Sequence, residues 1–172
     1  MSVHFGASLL DRPSERGVMR PQYHEGSLFA VPLTDGGYGA GLVARLAPGS
    51  KIMLAYLFGL RFERLPSLEA LPPLGPQDAV KVLRVGDMAL ANRRWPVLGE
   101  YVEWNPQVWP MPQFLRRMER LQRAWRVTYA DADPSRSERE ESVPFDTPGL
   151  EADSLYGYGS TELLLTKLLS LH

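Results

Sequence analysis

"SLFAVPLTDGGYGAGLVARL", Ser27 to Leu46, places four glycines in six positions between two β-prone runs. Such crowding has two readings, a phosphate-cradling loop or the turn of a hairpin. A dinucleotide fingerprint needs G-x-G-x-x-G running into a helix, and a P-loop needs G-x-x-x-x-G-K-[ST]. Here Gly37, Gly39 and Gly41 are spaced by two, and the residues that follow, "LVARLAPGSK", stay strand-like and end in a turn. No helix N-terminus follows to hold a phosphate. The hairpin reading stands: Asp35-Gly36 is a strong turn signal, so Ser27–Leu33 and Tyr38–Arg45 should pair antiparallel, with Gly36 or Gly37 supplying the positive φ. Gly39 and Gly41 then share one strand face and leave a strip without side chains, to be filled by something bulky such as a tryptophan. Pro32 cannot donate to a ladder, which puts the end of the first strand at an edge or a bulge.

Outward from the hairpin, "APGS" (Ala47 to Ser50) is a second turn and Lys51–Phe58 a third strand, completing a meander. The apolar run "IMLAYLFGL" (Ile52 to Leu60) is far short of the roughly 20 residues that span a bilayer. Leu65 to Gln77 carries four prolines and reads as a connection, with "SLEAL" able to form a helical turn. "AVKVLRV" (Ala79 to Val85) predicts a fourth strand and Trp95–Trp104 a fifth. "FLRRMERLQRAW" holds helix formers, but "RAWRVTYAD" alternates, which predicts a strand over about 123–130. The polar stretch "DADPSRSEREESVPFDTPG", within about 131–153, predicts a mobile excursion. In "GSTELLLTKLLSL", Leu164, Leu165, Leu168 and Leu169 share a helical face, with Ser160 or Thr161 as N-cap and Glu162 in the first turn. These elements predict an α+β domain: a mainly antiparallel, strongly curved, partly barrel-like sheet with a C-terminal helix packed on it. Residues 26–172 form that single domain, behind a flexible lead-in over 1–25 that lacks the basic start and long apolar run of a signal peptide.

Composition agrees with one such domain. The chain has 172 residues, 44% of them hydrophobic, and no cysteine, which removes disulfides and thiolate chemistry and suits a reducing, cytoplasmic setting. A net charge of -1 leaves no global field to draw it onto nucleic acid or anionic lipid.

Few residues suggest catalysis. His4, His24 and His172 show no metal-ligand spacing, and "GYGST" (Gly157 to Thr161) lacks the order of a nucleophile elbow. No catalytic residue, metal or cofactor is expected. Charge distribution says more: Pro112–Ala130 holds five arginines (Arg116, Arg117, Arg120, Arg123, Arg126) against Glu119, a local +4. Residues 131–153 hold Asp131, Asp133, Glu138, Glu140, Glu141, Asp146, Glu151 and Asp153 against Arg136 and Arg139, a local -6. Two readings stay open. The two stretches neutralise each other as surface ion pairs, or the acids form a protein-binding patch that steers a basic partner such as a nuclease. A third use of the arginines, from Arg116 to Arg126, is a strip for nucleic acid. Of four tryptophans, Trp95 and Trp109 each precede a proline and read as buried plugs, whereas Trp104 is the candidate for an exposed contact.

The chain resembles the immunity protein 26 family of bacterial polymorphic toxin and contact-dependent inhibition systems. The residues that carry the resemblance are "GSLFAVPLTDGGYGAGLV" (Gly26 to Val43), "RWPVLG" (Arg94 to Gly99), "WPMPQFLR" (Trp109 to Arg116), "VTYAD" (Val127 to Asp131) and "GYGSTELLL" (Gly157 to Leu165). It implies a cytoplasmic, non-enzymatic antitoxin that binds the toxic C-terminal domain of a cognate effector. With that implication the acids of 131–153 and Trp104 become candidate toxin contacts.

Overall fold

The computed structural model describes residues 22–49 and 51–170. Most of the expected lead-in, with His4 and His172, lies outside these. Tyr23 is already part of the fold, buried with its hydroxyl donating to the Asp87 carboxylate at 2.5 Å.

The opening hairpin forms as its glycines require. Strand β1 (Ser27–Pro32) pairs antiparallel with β2 (Tyr38–Leu46), joined by a turn in which Gly36 and Gly37 have φ of +102° and +78°. A side chain at Gly37 would also run into the Phe62 carbonyl oxygen, 2.4 Å from where its Cβ would stand. β3 (Ile52–Phe58) and β4 (Ala79–Gly86) extend the meander. After a short helix α1 (Met88–Ala91), β5 (Val97–Glu100) returns to pair with β1, but only along Ser27–Phe29. Pro32, at the far end of β1, therefore meets no ladder on that side, and its missing N–H costs nothing.

β1, β2 and β3 are almost entirely buried along their length. Phe29, Val43, Met53 and Leu57 lie in one core cluster, while Leu28, Leu42, Leu54 and Tyr56 lie in another. The sheet is covered on both faces, which explains why these strands read as near-continuous apolar runs.

A second sheet covers one face. β6 (Phe114–Met118), β7 (Arg123–Ala130), β8 (Asp133–Val143) and β9 (Glu151–Ala152) make four strands in the order β8-β7-β6-β9. Phe114, Val127 and Tyr129 meet the first sheet around Trp109. The other face receives the C-terminal helix α2 (Tyr158–Ser170), which inserts Leu165 and Leu169 beside Trp95. β10 (Leu155–Tyr156) joins β4 in parallel, so the six-stranded sheet runs β10-β4-β3-β2-β1-β5.

Several expectations change. One partly barrel-like sheet becomes two open sheets, neither closed on itself. The stretch expected as a mobile excursion is an 11-residue strand, β8, paired with β7 from Ala124↔Val143 to Ala130↔Asp133. It lacks an apolar pattern because it is an edge strand held by its ladder, and charge on an edge also deters pairing with other chains. "FLRRM" forms β6 despite its helix formers, since pairing with β7 overrides a weak local preference. The fifth strand is shorter than Trp95–Trp104, because Trp95 leaves the sheet to fill the core. Ser160 and Thr161 do not cap α2: both hydroxyls donate to the Gly157 carbonyl from inside its first turn.

The glycine strip is filled from within. A Cβ at Gly39 would stand 2.6 Å from Leu165 Cδ2, and one at Gly41 would stand 2.5 Å from Phe29 Cζ. Phe29 is itself stacked on Trp95, with centroids 5.5 Å apart and the planes 7° from parallel. The strip seats the protein's own helix and core aromatics.

Candidate functional site

The residues expected to contact a partner do not form one patch. Asp131 stands at the β7–β8 turn, where buried Arg45 donates to its main-chain oxygen at 2.7 Å and to its carboxylate at 3.2 Å. A β-bulge between Val43 and Arg45 aims that arginine there, and the same guanidinium donates to the Pro106 carbonyl. Asp131 is thereby tied to the segment that carries Trp104 and Trp109. Asp133 accepts from the Ser135 amide and hydroxyl at 2.9 and 2.6 Å, bonds that hold its carboxyl below the usual range.

The middle acids are matched by the arginines. Arg116 makes a two-pronged contact with Glu140 at 2.8 and 2.6 Å, which lowers the Glu140 pKa. Glu141 lies across the ladder from Arg126, 3.7 Å away, and also meets Arg139. Glu138 faces Arg136 at 3.5 Å. Exposed pairs of this kind contribute on the order of 0–1 kcal/mol each. They hold little stability, but they cancel the local field that a steering patch needs. Asp146 stays exposed in the turn after β8. Glu151 and Asp153 belong to the opposite edge of the sheet, with Glu151 on Lys81 at 2.9 Å.

Asp153 is buried in a network that no sequence pattern announced. It accepts from Arg84 at 3.1 Å and from the Tyr129 hydroxyl at 2.6 Å, while Arg84 also donates to Pro134 and lies 4.0 Å over the Tyr129 ring. Burial, with the Asp153 bond, pushes Tyr129 up to about 12. This network joins β4 of one sheet to β7 and β8 of the other. A second buried network holds α2: Glu162 accepts from Arg94 at 2.7 and 2.8 Å and from the Trp95 indole at 2.9 Å. Burial alone would raise the Glu162 pKa, but these donors outweigh it and leave the carboxyl low. The only sequence signal for either was a charged residue inside an apolar strand or on an apolar helix face.

The arginine strip is divided in the same way. Arg116 and Arg126 have carboxylates, and Arg117 donates to the Phe145 carbonyl at 2.8 Å. Arg120 and Arg123 have no acidic partner among the described residues, and flank exposed Leu121 at the tip of the β6–β7 hairpin. Trp95 and Trp109 are buried plugs as their sequence context suggested. Trp104 is half-buried, stacked 6.2 Å from Trp109 with its indole against Gly26, so only part of it faces outward. His24 is exposed: its ring donates to the Glu25 carbonyl at 2.8 Å and meets Glu100 at 2.5 Å, contacts that raise its pKa. No helix among the described residues is long and apolar enough to cross a membrane.

The fold so defined is a two-sheet domain whose charged side chains are mostly spent on each other and whose glycine hairpin serves packing. The family model for immunity protein 26 matches residues 24–125, and the chain belongs to that family. It is an immunity protein by that membership. The matched span runs from His24 through the six-stranded sheet's five longest strands, up to Trp125 in β7. The blocks at Val127–Asp131 and Gly157–Leu165, quoted for the resemblance, fall beyond it. No curated protein and no solved structure matches the chain.

Proposed function

We propose that this chain is an antitoxin that binds the toxic C-terminal domain of a cognate bacterial toxin in a one-to-one complex and protects the producing cell in its cytoplasm. Membership of the immunity protein 26 family carries the reading. The architecture suits it, since a domain of two packed sheets and a docked helix offers surfaces that need little reorganisation on binding. An interface of the usual size, roughly 800 Å² on each partner, is a small part of the chain's accessible surface of 11370 Å².

The test begins with the neighbouring gene, where a large secreted protein with a variable C-terminus is expected, and continues with co-expression of that protein's C-terminal domain. Growth should be restored, and the two proteins should elute together as an equimolar complex. Continued toxicity with no complex would refute the proposal. If the toxin is a nuclease its basic surface seeks acids, and β8 suits it poorly, because Glu138, Glu140 and Glu141 are paired with this chain's own arginines. The nucleic-acid reading loses ground because Arg116 and Arg126 are already neutralised.

A further inference from the structure

The proline-rich connection between β3 and β4 packs Leu74, and in part Leu68 and Leu71, onto one core cluster and leaves an apolar side toward solvent. It folds over the end of the six-stranded sheet and, with β5 and the turn after it, walls an open groove of about 460 Å³. Leu68, Leu71, Pro72, Pro73 and Leu74 form one side and Tyr101 and Val102 the other. The groove is pre-formed. Tyr101 donates to the Leu74 carbonyl at 2.5 Å, and Leu68 sits so close to Gly99 that a Cβ there would stand 2.7 Å from its Cδ2. At the mouth Val102 is 79% exposed, an apolar side chain left in water beside apolar walls.

Charge then selects the occupant. Among the described residues, the charged ones lining the groove are Glu100 and Glu103. Glu100 meets only His24, and Glu103 has no ion-pair partner among the described residues. This contrasts with β8, where Glu138, Glu140 and Glu141 each face an arginine of this chain. With Glu103 unpaired, Glu100 held only by an exposed histidine and no basic residue in the lining, the trough fits a segment that offers apolar side chains next to Lys or Arg, the trough supplying affinity and the acids orientation and association rate.

Resting on the antitoxin reading above, we infer that this groove is where the toxin docks, through a segment of its surface that sets apolar side chains between basic ones. The groove, and not the acidic edge of β8, carries the energetics of the complex.

The probe is the purified C-terminal domain of the secreted protein expected beside this chain's gene, with binding followed by surface plasmon resonance at two salt concentrations and protection followed by growth. Val102→Arg should weaken the complex roughly 30-fold, the loss expected when a central apolar contact is replaced. Glu100→Lys with Glu103→Lys should slow association about tenfold at low salt and much less at high salt. All three side chains are at the surface, so thermal midpoints within a few degrees of the parent's show that folding is intact. Glu138→Lys with Glu140→Lys and Glu141→Lys should change affinity less than about threefold. If the parent binds but the groove variants match it, or if the double lysine variant binds faster, the groove assignment is overturned while the antitoxin reading survives. If the parent neither binds nor protects, both fall.

Discussion

Replacing Gly41 by alanine tests whether the glycine strip is a packing device. The added methyl would stand 2.5 Å from Phe29 Cζ, 2.7 Å from Cε2 and 3.0 Å from Leu57 Cδ2. Phe29 cannot swing aside, being fully buried and stacked on Trp95, which is also fully buried. Overpacking of this kind costs about 1–3 kcal/mol. Alanine recovers about 0.5–1 kcal/mol by restricting the unfolded chain. Contacts of 2.5 and 2.7 Å with a ring that cannot move put the cost in the upper part of that range, about 2–3 kcal/mol, so the net loss is about 1–2.5 kcal/mol. At about 2–4 °C per kcal/mol in a domain of this size, differential scanning calorimetry should show Tm falling by about 2–10 °C. The partner variant Phe29→Leu removes the ring, so adding Gly41→Ala to it should cost much less than in the parent, a coupling readable from a double-mutant cycle. A Gly41→Ala protein as stable as the parent, or additive effects in the cycle, would refute the close-packing account. Gly39→Ala should cost a comparable amount, because the Leu165 side chain it meets at 2.6 Å is as fully buried as Phe29.

Glu162→Gln leaves Arg94 and the Trp95 indole with a weaker acceptor and should destabilise by about 1–3 kcal/mol near neutral pH. Because the folded Glu162 pKa lies below its ordinary 4.5, its contribution is complete above that value and fades as pH falls through the lowered one. Urea denaturation from pH 6 to 3 should show the parent losing more stability than Glu162→Gln, and parallel curves would contradict the assignment. Arg84→Met strands the buried Asp153 carboxylate and should cost about 3 kcal/mol, read by the same method, whereas Arg84→Met with Asp153→Asn should recover part of it. Electrophoretic mobility shifts with duplex DNA or single-stranded RNA should show no salt-sensitive binding, since the strip's two central pairs are closed. Tight binding that falls steeply with salt would restore the nucleic-acid reading.

The hairpin, the meander, the strand at 123–130 and the C-terminal helix could be read from the residues because each has a strong local cause: an Asp-Gly turn, long buried apolar runs, alternation, and a leucine face. The buried Trp95 and Trp109 could be read for a similar reason, as large apolar side chains next to prolines at corners. β8 could not, since an edge strand of serines, arginines and glutamates has no hydrophobic signature and exists only because β7 presents a ladder. The candidate contacts divided for the same reason. Their count was visible, but partners 24 residues apart, as Arg116 and Glu140 are, meet only when the strands have chosen their register.

By itself, then, the sequence determined the family, the glycine hairpin and the run of buried strands that follows it, all of which rest on near-neighbour chemistry and composition. Tertiary structure alone decided that the strip at Gly39 and Gly41 is packed by Leu165 and Phe29, that the acids of β8 are answered by this chain's own arginines, and that Glu103 is left unpaired, with Glu100 on His24, beside an apolar groove. The physical reason is that packing and ion pairing depend on distance in space, and the chain positions involved are brought together only by the pairing of strands far apart in sequence.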